Sequence, residues 1–385
     1  MNIIVIGGGA AGLMAAGTAA EQGANVTLFE TNEKVGRKLF ITGKGRCNVC
    51  NDCDAQEVLR NVPVNPRFLY SALGAFSPAD VKAFFEEKGV ALKTERGNRV
   101  FPVSDKAADI IDALFLWVKR TGVSIVHGTV SDVIIENGRV TGVIAENADG
   151  KYVRYNAAKG VVVATGGYAQ NWKMMEALQP WNLRIIGRSG ALPGARGDGI
   201  RACLWAGAKM DETHSIMMFD RTAIRPDQQP GPDTVKSGDS GFFWIGSQPW
   251  LKVNADGRRF MNESGTYENI LHADEYQKGH CHYTIFDSNW VKYAEQFKMH
   301  GCSRLFPFEN GAEPNIPWEV FRDRMLPGLI AKGYVQKADT IEELAKKLGL
   351  PAAQLKATVA RNNELYRKGE DVDYGKEKHR LSAVD

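Results

Sequence analysis

The first thirty residues, MNIIVIGGGAAGLMAAGTAAEQGANVTLFE, constrain the fold more than any other stretch. Asn2 to Ile6 read as a short apolar strand, and Leu13 to Glu21 as an alanine-rich helix. Between them Gly7, Gly9 and Gly12 supply Gly-x-Gly-x-x-Gly, with Ala10 and Ala11 inside the triplet. Val26 to Phe29 form a second strand ended by Glu30, eighteen residues past Gly12. Gly7 permits the tight turn, Gly9 lets the backbone approach a pyrophosphate, and Gly12 lets the helix sit close to the strand. The helix N-terminus offers unpaired N–H groups and the positive end of a dipole to the diphosphate. Glu30 is placed to accept hydrogen bonds from ribose hydroxyls, and its charge repels a 2′-phosphate. A bare glycine triplet is a common turn. Strand, glycines, helix, strand and acid in this order point to dinucleotide binding.

A chain of 385 residues is long enough for two domains with separate cores. Its 44% hydrophobic and 24% charged content are those of an ordinary globular protein, and a net charge of +3 argues for neither nucleic acid nor an anionic membrane. The longest apolar run, around Ile110 to Val118, is too short to cross a bilayer. Met1 leads almost directly into a buried strand with no signal peptide before it, so the expected location is cytoplasmic.

Cys47, Cys50 and Cys53 form C-x2-C-x2-C, the opening of a cluster motif, but Glu57 stands where a fourth ligand belongs. No histidine follows either CxxC pair, and the reading is of neighbouring loop thiols rather than a metal site. In His280-Cys281-His282, strand alternation would put both imidazoles on one face, again without a metal assigned.

Beyond Glu30, Lys34, Arg37, Lys38, Lys44 and Arg46 alternate with Gly36, Gly43 and Gly45. The glycines favour a second backbone cradle over a merely solvated charge run. Pro66 to Lys88 carry two helical patterns with Phe68, Leu69, Leu73, Val81, Phe84 and Phe85 as core. Ser104 is the expected N-cap of a helix to about Arg120 that buries Ile110, Ile111, Leu114, Trp117 and Val118. Asn137-Gly138 and Asp149-Gly150 mark a three-stranded meander over Val130–Ile135, Val140–Glu146 and Tyr152–Tyr155. Lys159 to Ala164 return as a buried strand ending in Thr165-Gly166-Gly167. Asp198 opens a helix and reads equally as its cap or as a ligand contact. Prolines and glycines from Pro226 to Gly241 mark a long loop of the kind that forms lids. WLKVNADGRRFMNES reads as strand, Asp256-Gly257 turn and strand. Thr340 and Glu343 read as a capping box, and Leu355 to Arg367 as amphipathic.

An NAD dehydrogenase would satisfy the first motif alone. The meander and the later ATGG suggest instead an extended FAD held across the sheet. GRKLFITGKGRCN, RVFPVSDKA and VVVATGG resemble a bacterial flavoprotein family that includes aminoacetone oxidase-like proteins and bile-acid-modifying reductases. ATGGYAQN, ARGDGI, VNADGRRFMNES and GEDVDYGK resemble the flavoprotein subunits of fumarate reductases, urocanate reductases and ketosteroid dehydrogenases. The fold expected is α/β: a Rossmann-like, glutathione reductase-type FAD-binding domain over 1–214 with the meander inserted, and an α+β capping domain over 215–385. The resemblance implies that Gly7, Gly9, Gly12 and Glu30, with Ala10 and Ala11, hold the ADP half of FAD. It implies that Lys38, Thr42, Gly43, Gly45, Arg46 and Cys47 line the stretch from pyrophosphate to isoalloxazine. Val130 would meet the adenine through its backbone, and Thr165, Gly166 and Asp198 the adenosine or ribityl side.

The resemblance further implies an FAD-dependent oxidoreductase that exchanges hydride between flavin N5 and a C=C or CH–CH bond beside a carbonyl, in a small acid, ketone or steroid-like substrate. A separate electron donor or acceptor is implied, since no second nucleotide motif or haem motif is present. The alternatives are an aminoacetone oxidase-like or bile-acid-type enzyme, and a flavin-binding protein without turnover. Fumarate reductases carry a proton-donating arginine shortly after the RFxNE segment, where this chain has Tyr267; ketosteroid dehydrogenases place a tyrosine at about that point. Tyr267 therefore reads either as a packed aromatic or as the acid–base group, and Glu263 and Arg259 as a proton relay or, more simply, a surface salt bridge. Relatives continue past the GEDVDYGK-like region with a return into the flavin domain. Its expected source is residues missing from the C-terminus or a partner chain, with weak FAD binding as the third reading.

Overall fold

The computed structural model describes residues 2–62, 64–147, 149–184, 191–192, 194–211, 222–226, 242–245, 248–297, 305–307, 314 and 316–385. Two compact units divide the chain: residues 1–169 with 194–211, and residues 170–193 with 212–385.

In the first unit β1 (Asn2–Ile6), α1 (Ala10–Glu21) and β2 (Asn25–Glu30) form the expected βαβ start, with α1 beginning three residues earlier than its apolar pattern shows. After α2 (Arg37–Ile41) come β3 (Cys50–Asn51), α3 (Ala55–Arg60), α4 (Tyr70–Ala75), α5 (Pro78–Glu87), β4 (Leu92–Glu95) and β5 (Arg99–Pro102). Next follow α6 (Ala107–Arg120), β6 (Ser124–His127), the meander β7 (Thr129–Glu136), β8 (Arg139–Glu146) and β9 (Tyr152–Asn156), and β10 (Gly160–Val163). The main sheet is wholly parallel in the order β10-β1-β2-β6. Parallel strands are buried on both faces and alternate their side chains between them. Val5 and Leu28 accordingly join Leu13, Ile110, Leu114, Trp117 and Val118 in one core, while Ile4 and Phe29 join Val143, Ala145 and Ala157 of the meander region in another. A fully buried side chain of this kind stabilises by about 1.5–3 kcal/mol against about 1 kcal/mol for a typical hydrogen bond, so apolar burial sets the sheet's position. Gly17 admits α6 to α1: a Cβ there would lie 2.4 Å from the Trp117 ring.

The meander lies where the turn signals put it, with Asn137 at φ 52° and Gly138 at φ 71° in its first hairpin. Three expectations need correction. Ser104 is not the cap of α6; Lys106 occupies that position, and Ser104 Oγ donates instead to Asp109 Oδ2 at 2.5 Å. Asp105 takes a left-handed φ of 57° and delays the helix by two residues. Phe68 is 81% exposed because its segment is a 3-10 turn, Pro66–Leu69, rather than a helix with a buried stripe.

The second unit is mainly helical, with cores around Trp250, Trp290, Phe297 and Phe321 and around Leu251, Val253, Leu355 and Val359. Thr340 accepts from the Glu343 N–H at 3.2 Å as the cap of helix Ile341–Leu348, and the long helix Ala352–Lys368 ends on left-handed Gly369. Leu251–Val253 pairs with Tyr283–Ile285, not with the residues after Asp256-Gly257. That turn returns only as far as a single bridge from Val253 to Arg259, because Arg259 is drawn into an ion-pair network. Most of the expected lid loop, 227–241, lies outside the described residues; strands Thr222–Ile224 and Phe242–Trp244 on either side of it pair antiparallel. No helix among the described residues is long and apolar enough to cross a membrane.

Candidate FAD and catalytic sites

The carboxyl ends of parallel strands are where open α/β sheets bind ligands, and the first unit gathers its glycines there. Gly7 follows β1 at φ 105°, and a Cβ on it would lie 2.5 Å from the Ala164 carbonyl oxygen after β10. A Cβ on Gly12 would lie 1.8 Å from the Gly7 carbonyl oxygen, so only glycine permits this approach of α1 to the turn. Gly9 differs, because a Cβ there meets nothing within 4 Å. Gly9 thus presents an open face beside the first residues of α1, Ala10 and Ala11.

Glu30 ends β2 with only 8% exposure. Its Oε2 accepts the Gly8 N–H at 2.8 Å, and its Oε1 accepts the Asn32 N–H at 2.8 Å and Asn32 Nδ2 at 2.6 Å. The carboxylate is thereby locked to the glycine turn. The Gly36 N–H donates to the Gly8 carbonyl at 2.8 Å, tying the second glycine loop to the first. Gly8 and Asn32 carry this geometry yet were not among the expected ligands, whereas Gly36 is one of the glycines expected to form the second cradle; Asn32, two residues past Glu30, had a local signal.

Lys38 reaches the β10 end: a Cβ on Gly166 would lie 2.6 Å from Lys38 Nζ, so two expected cofactor residues from distant segments meet. Thr165 and Gly166 line a cleft of about 220 Å³ with Val163, Gly199 and Cys203. Gly199 lets helix Asp198–Trp205 close on them, since a Cβ there would lie 2.2 Å from Thr165 Oγ1. Asp198 is the first residue of that helix, not its cap, and its carboxylate takes Arg196 at 3.2 Å and Arg201. Val130 is the second residue of β7, opposite Ala145 and next to a bulge at Ser131.

In the loop Thr42–Gly45, Thr42 Oγ1 donates to the Leu39 carbonyl at 2.8 Å and Gly43 and Gly45 adopt positive φ. Cys47 is buried with φ 61°, and burial pushes its thiol up despite the Thr42 hydroxyl, so it stands as a neutral thiol. The Arg46 guanidinium turns to Glu95 at 2.9 Å and Asp105 at 3.0 Å. Glu95 lies 49 residues away and no local spacing announces the pair. Among the described residues no group of three or more His, Cys, Asp or Glu is arranged to hold a metal. His280 and His282 do not share a strand face. His280 closes a 3-10 turn with φ 51°, while His282 Nδ1 lies 2.8 Å from Asp274 Oδ2.

In the second unit Tyr267 is the first residue of helix Tyr267–Asp274, half-buried, with Thr266 as the cap. Arg259 and Glu263 form no surface salt bridge: their side chains are 7% and 0% exposed. Arg259 Nε lies 2.8 Å from Glu263 Oε1, and Arg259 Nη2 lies 2.8 Å from Glu263 Oε2 and 2.6 Å from Asp371 Oδ2. Lys376 Nζ reaches Glu263 Oε2 at 3.2 Å. Burial pushes the Glu263 carboxyl up, but Lys376 and Arg259 outweigh it and hold it below the usual range as a carboxylate. Burial, with the neighbouring Arg259, pushes the Lys376 ammonium down against the opposing pull of Glu263. The network fastens the RRFMNE turn to the GEDVDYGK segment.

Residues 1–173 match the HI0933-like protein Rossmann domain. The whole chain aligns at 25% identity with vinyl phenol reductase of Lactiplantibacillus plantarum, over 80% of that protein. At 31% identity, 69% of the chain aligns with 3-oxosteroid 1-dehydrogenase of Mycobacterium tuberculosis but spans only 44% of its length. Among solved structures, 3-ketosteroid Δ1-dehydrogenase of Sterolibacterium denitrificans, in complex with 1,4-androstadiene-3,17-dione, superposes with a TM-score of 0.68. That superposition covers 100% of this chain and 85% of that one at 18% identity, which shows a shared fold. The chain carries an HI0933-like Rossmann domain of the FAD-binding kind over residues 1–173, with FAD as its cofactor. The relatives that align with it are named as a reductase and a dehydrogenase.

Proposed function

We propose that the protein exchanges a hydride between FAD and a C=C or CH–CH bond beside a carbonyl, in a small organic acid, ketone or steroid-like molecule. The observation that carries this reading is the cradle itself. An open Gly9 face, the α1 N-terminus, a turn-locked Glu30 and Lys38 at Gly166 suit a long, negatively charged dinucleotide. One relative that aligns with it is named for a 3-oxosteroid, which offers such a bond, and another for a vinyl phenol, whose C=C bond is conjugated with the aromatic ring instead of a carbonyl. Gly7, Gly9, Ala10, Ala11, Gly12 and Glu30 would hold the ADP half of FAD. Lys38, Thr42, Gly43, Gly45 and Cys47 would line the path to the ring, with Val130, Thr165, Gly166 and Asp198 around them.

Bound FAD supplies a two-electron hydride donor or acceptor at N5. Reduction of the double bond places the hydride on the β-carbon and needs one proton at the α-carbon. Tyr267 would donate that proton, or accept it in the reverse direction. Arg259 and Glu263 would act as positioning residues, because a carboxylate held ionised by two buried cations is a poor proton store. A separate electron donor or acceptor completes the cycle.

The test is product analysis. Reduced holoprotein incubated with an enone or enoate in deuterium oxide should give the saturated product with one solvent-derived deuterium at the α-carbon. Unchanged substrate across a panel of enones, enoates and vinyl phenols contradicts the proposal.

A further inference from the structure

We infer that Arg46 is a strut, not a cofactor ligand: with Glu95 and Asp105 it clamps the glycine loop 42–47 onto the small sheet of β3, β5 and β4. The inference rests on the FAD reading of that loop.

Three observations converge on it. The Arg46 guanidinium meets Glu95 through two parallel bonds, Nη1 to Oε1 at 2.9 Å and Nη2 to Oε2 at 3.2 Å, and the Glu95 side chain is only 12% exposed. Such a fork fixes direction as well as charge. The same guanidinium stacks 4.0 Å over the Phe101 ring and lies 3.0 Å from Asp105, which also holds Lys93 at 2.7 Å. Gly43 then rests on the edge of that same ring, where a Cβ would lie 2.8 Å from Phe101. Phe101 is itself 2% exposed in β5, which pairs with both β3 and β4. The loop is therefore pinned at Gly43 by shape and at Arg46 by charge. All of the guanidinium's described bonds point to Glu95 of β4 and to Asp105 just past β5, leaving the loop backbone to face a ligand.

The roles separate by experiment. FAD is titrated into apo-protein carrying Glu95→Gln, Arg46→Lys, both together, or Asp105→Asn; asparagine tolerates the left-handed backbone at 105. A strut predicts that Glu95→Gln and Arg46→Lys each weaken FAD binding about tenfold or more, that the double variant is no worse than either single, and that Asp105→Asn weakens binding several-fold. Trypsin digestion of the apo-proteins reads the latch with no cofactor present, and cleavage within 42–47 should quicken in each variant. If Glu95→Gln binds FAD as tightly as wild type, or more tightly, while Arg46→Lys loses affinity, Arg46 is a direct ligand and the strut is overturned. Unchanged affinity and unchanged cleavage in every variant also overturn it. A wild-type protein that takes up no FAD would refute the cofactor reading instead, and the cleavage rates would still decide the strut.

Discussion

Gly9 and Gly12 sit three residues apart in one motif, yet the space around them predicts opposite consequences for the same substitution. Gly9→Ala adds a Cβ to open space, so thermal stability of the apo-protein should stay within about 0.5 kcal/mol of wild type while FAD binding weakens about tenfold. Gly12→Ala drives a Cβ to 1.8 Å from the Gly7 carbonyl oxygen, and the turn must move. That variant should lose at least about 2 kcal/mol of stability before any cofactor is added. Calorimetry of the two apo-proteins checks both, and equal losses would contradict the assignment of Gly9 to cofactor approach. Tyr267→Phe should slow reduction of an enone or enoate by about 10²-fold or more, the usual reach of acid–base catalysis, with bound flavin unchanged. Full rate in that variant would remove Tyr267 from the chemistry. Such single residues were legible where chemistry is local: Glu30 follows its glycines at a fixed distance. Glu95 and Asp371 were not, because each meets an arginine 49 or 112 positions away in the chain.

The elements follow the same division. The βαβ start and the meander are written in apolar period and turn residues, and the structure places them accordingly. The start of α6 was misplaced because Ser104 satisfies its hydroxyl on Asp109 while Asp105 adopts a left-handed backbone. The turn at Asp256-Gly257 was expected to form a hairpin. Arg259 instead leaves the strand for Glu263 and Asp371, an ionic demand that alternation cannot reveal. The network gives this region a pH signature. Burial pushes the Asp371 carboxyl up, but Arg259 and the Lys376 and Tyr374 N–H groups outweigh it, bringing it down to about 2. An aspartate near 3.9 when unfolded then contributes stability that is complete above about pH 4 and lost as pH falls toward 2. Acid unfolding followed by tryptophan fluorescence should be flatter over that window in Asp371→Asn. The variant should also be about 3–5 kcal/mol less stable at neutral pH, because Arg259 loses a buried partner. A wild-type acid profile in the variant would show that the pair carries no such linkage.

At the scale of the molecule, each unit carries its own core and its own candidate chemistry: the cofactor cradle in one, Tyr267 and the buried ion network in the other. The class of protein was readable because nucleotide-binding glycines must occur in order along a continuous stretch. Substrate identity was not, because the residues that meet a small molecule need share no spacing in the chain. The central claim is that hydride passes between this chain's FAD and a conjugated carbon–carbon bond. The most direct measurement is to reduce the holoprotein with dithionite under argon and follow the visible flavin absorbance as acceptors are added singly. The account predicts that absorbance returns with an enone, an enoate or a vinyl phenol and not with the corresponding saturated compound. Recovery with oxygen alone would instead mark an oxidase and contradict the claim.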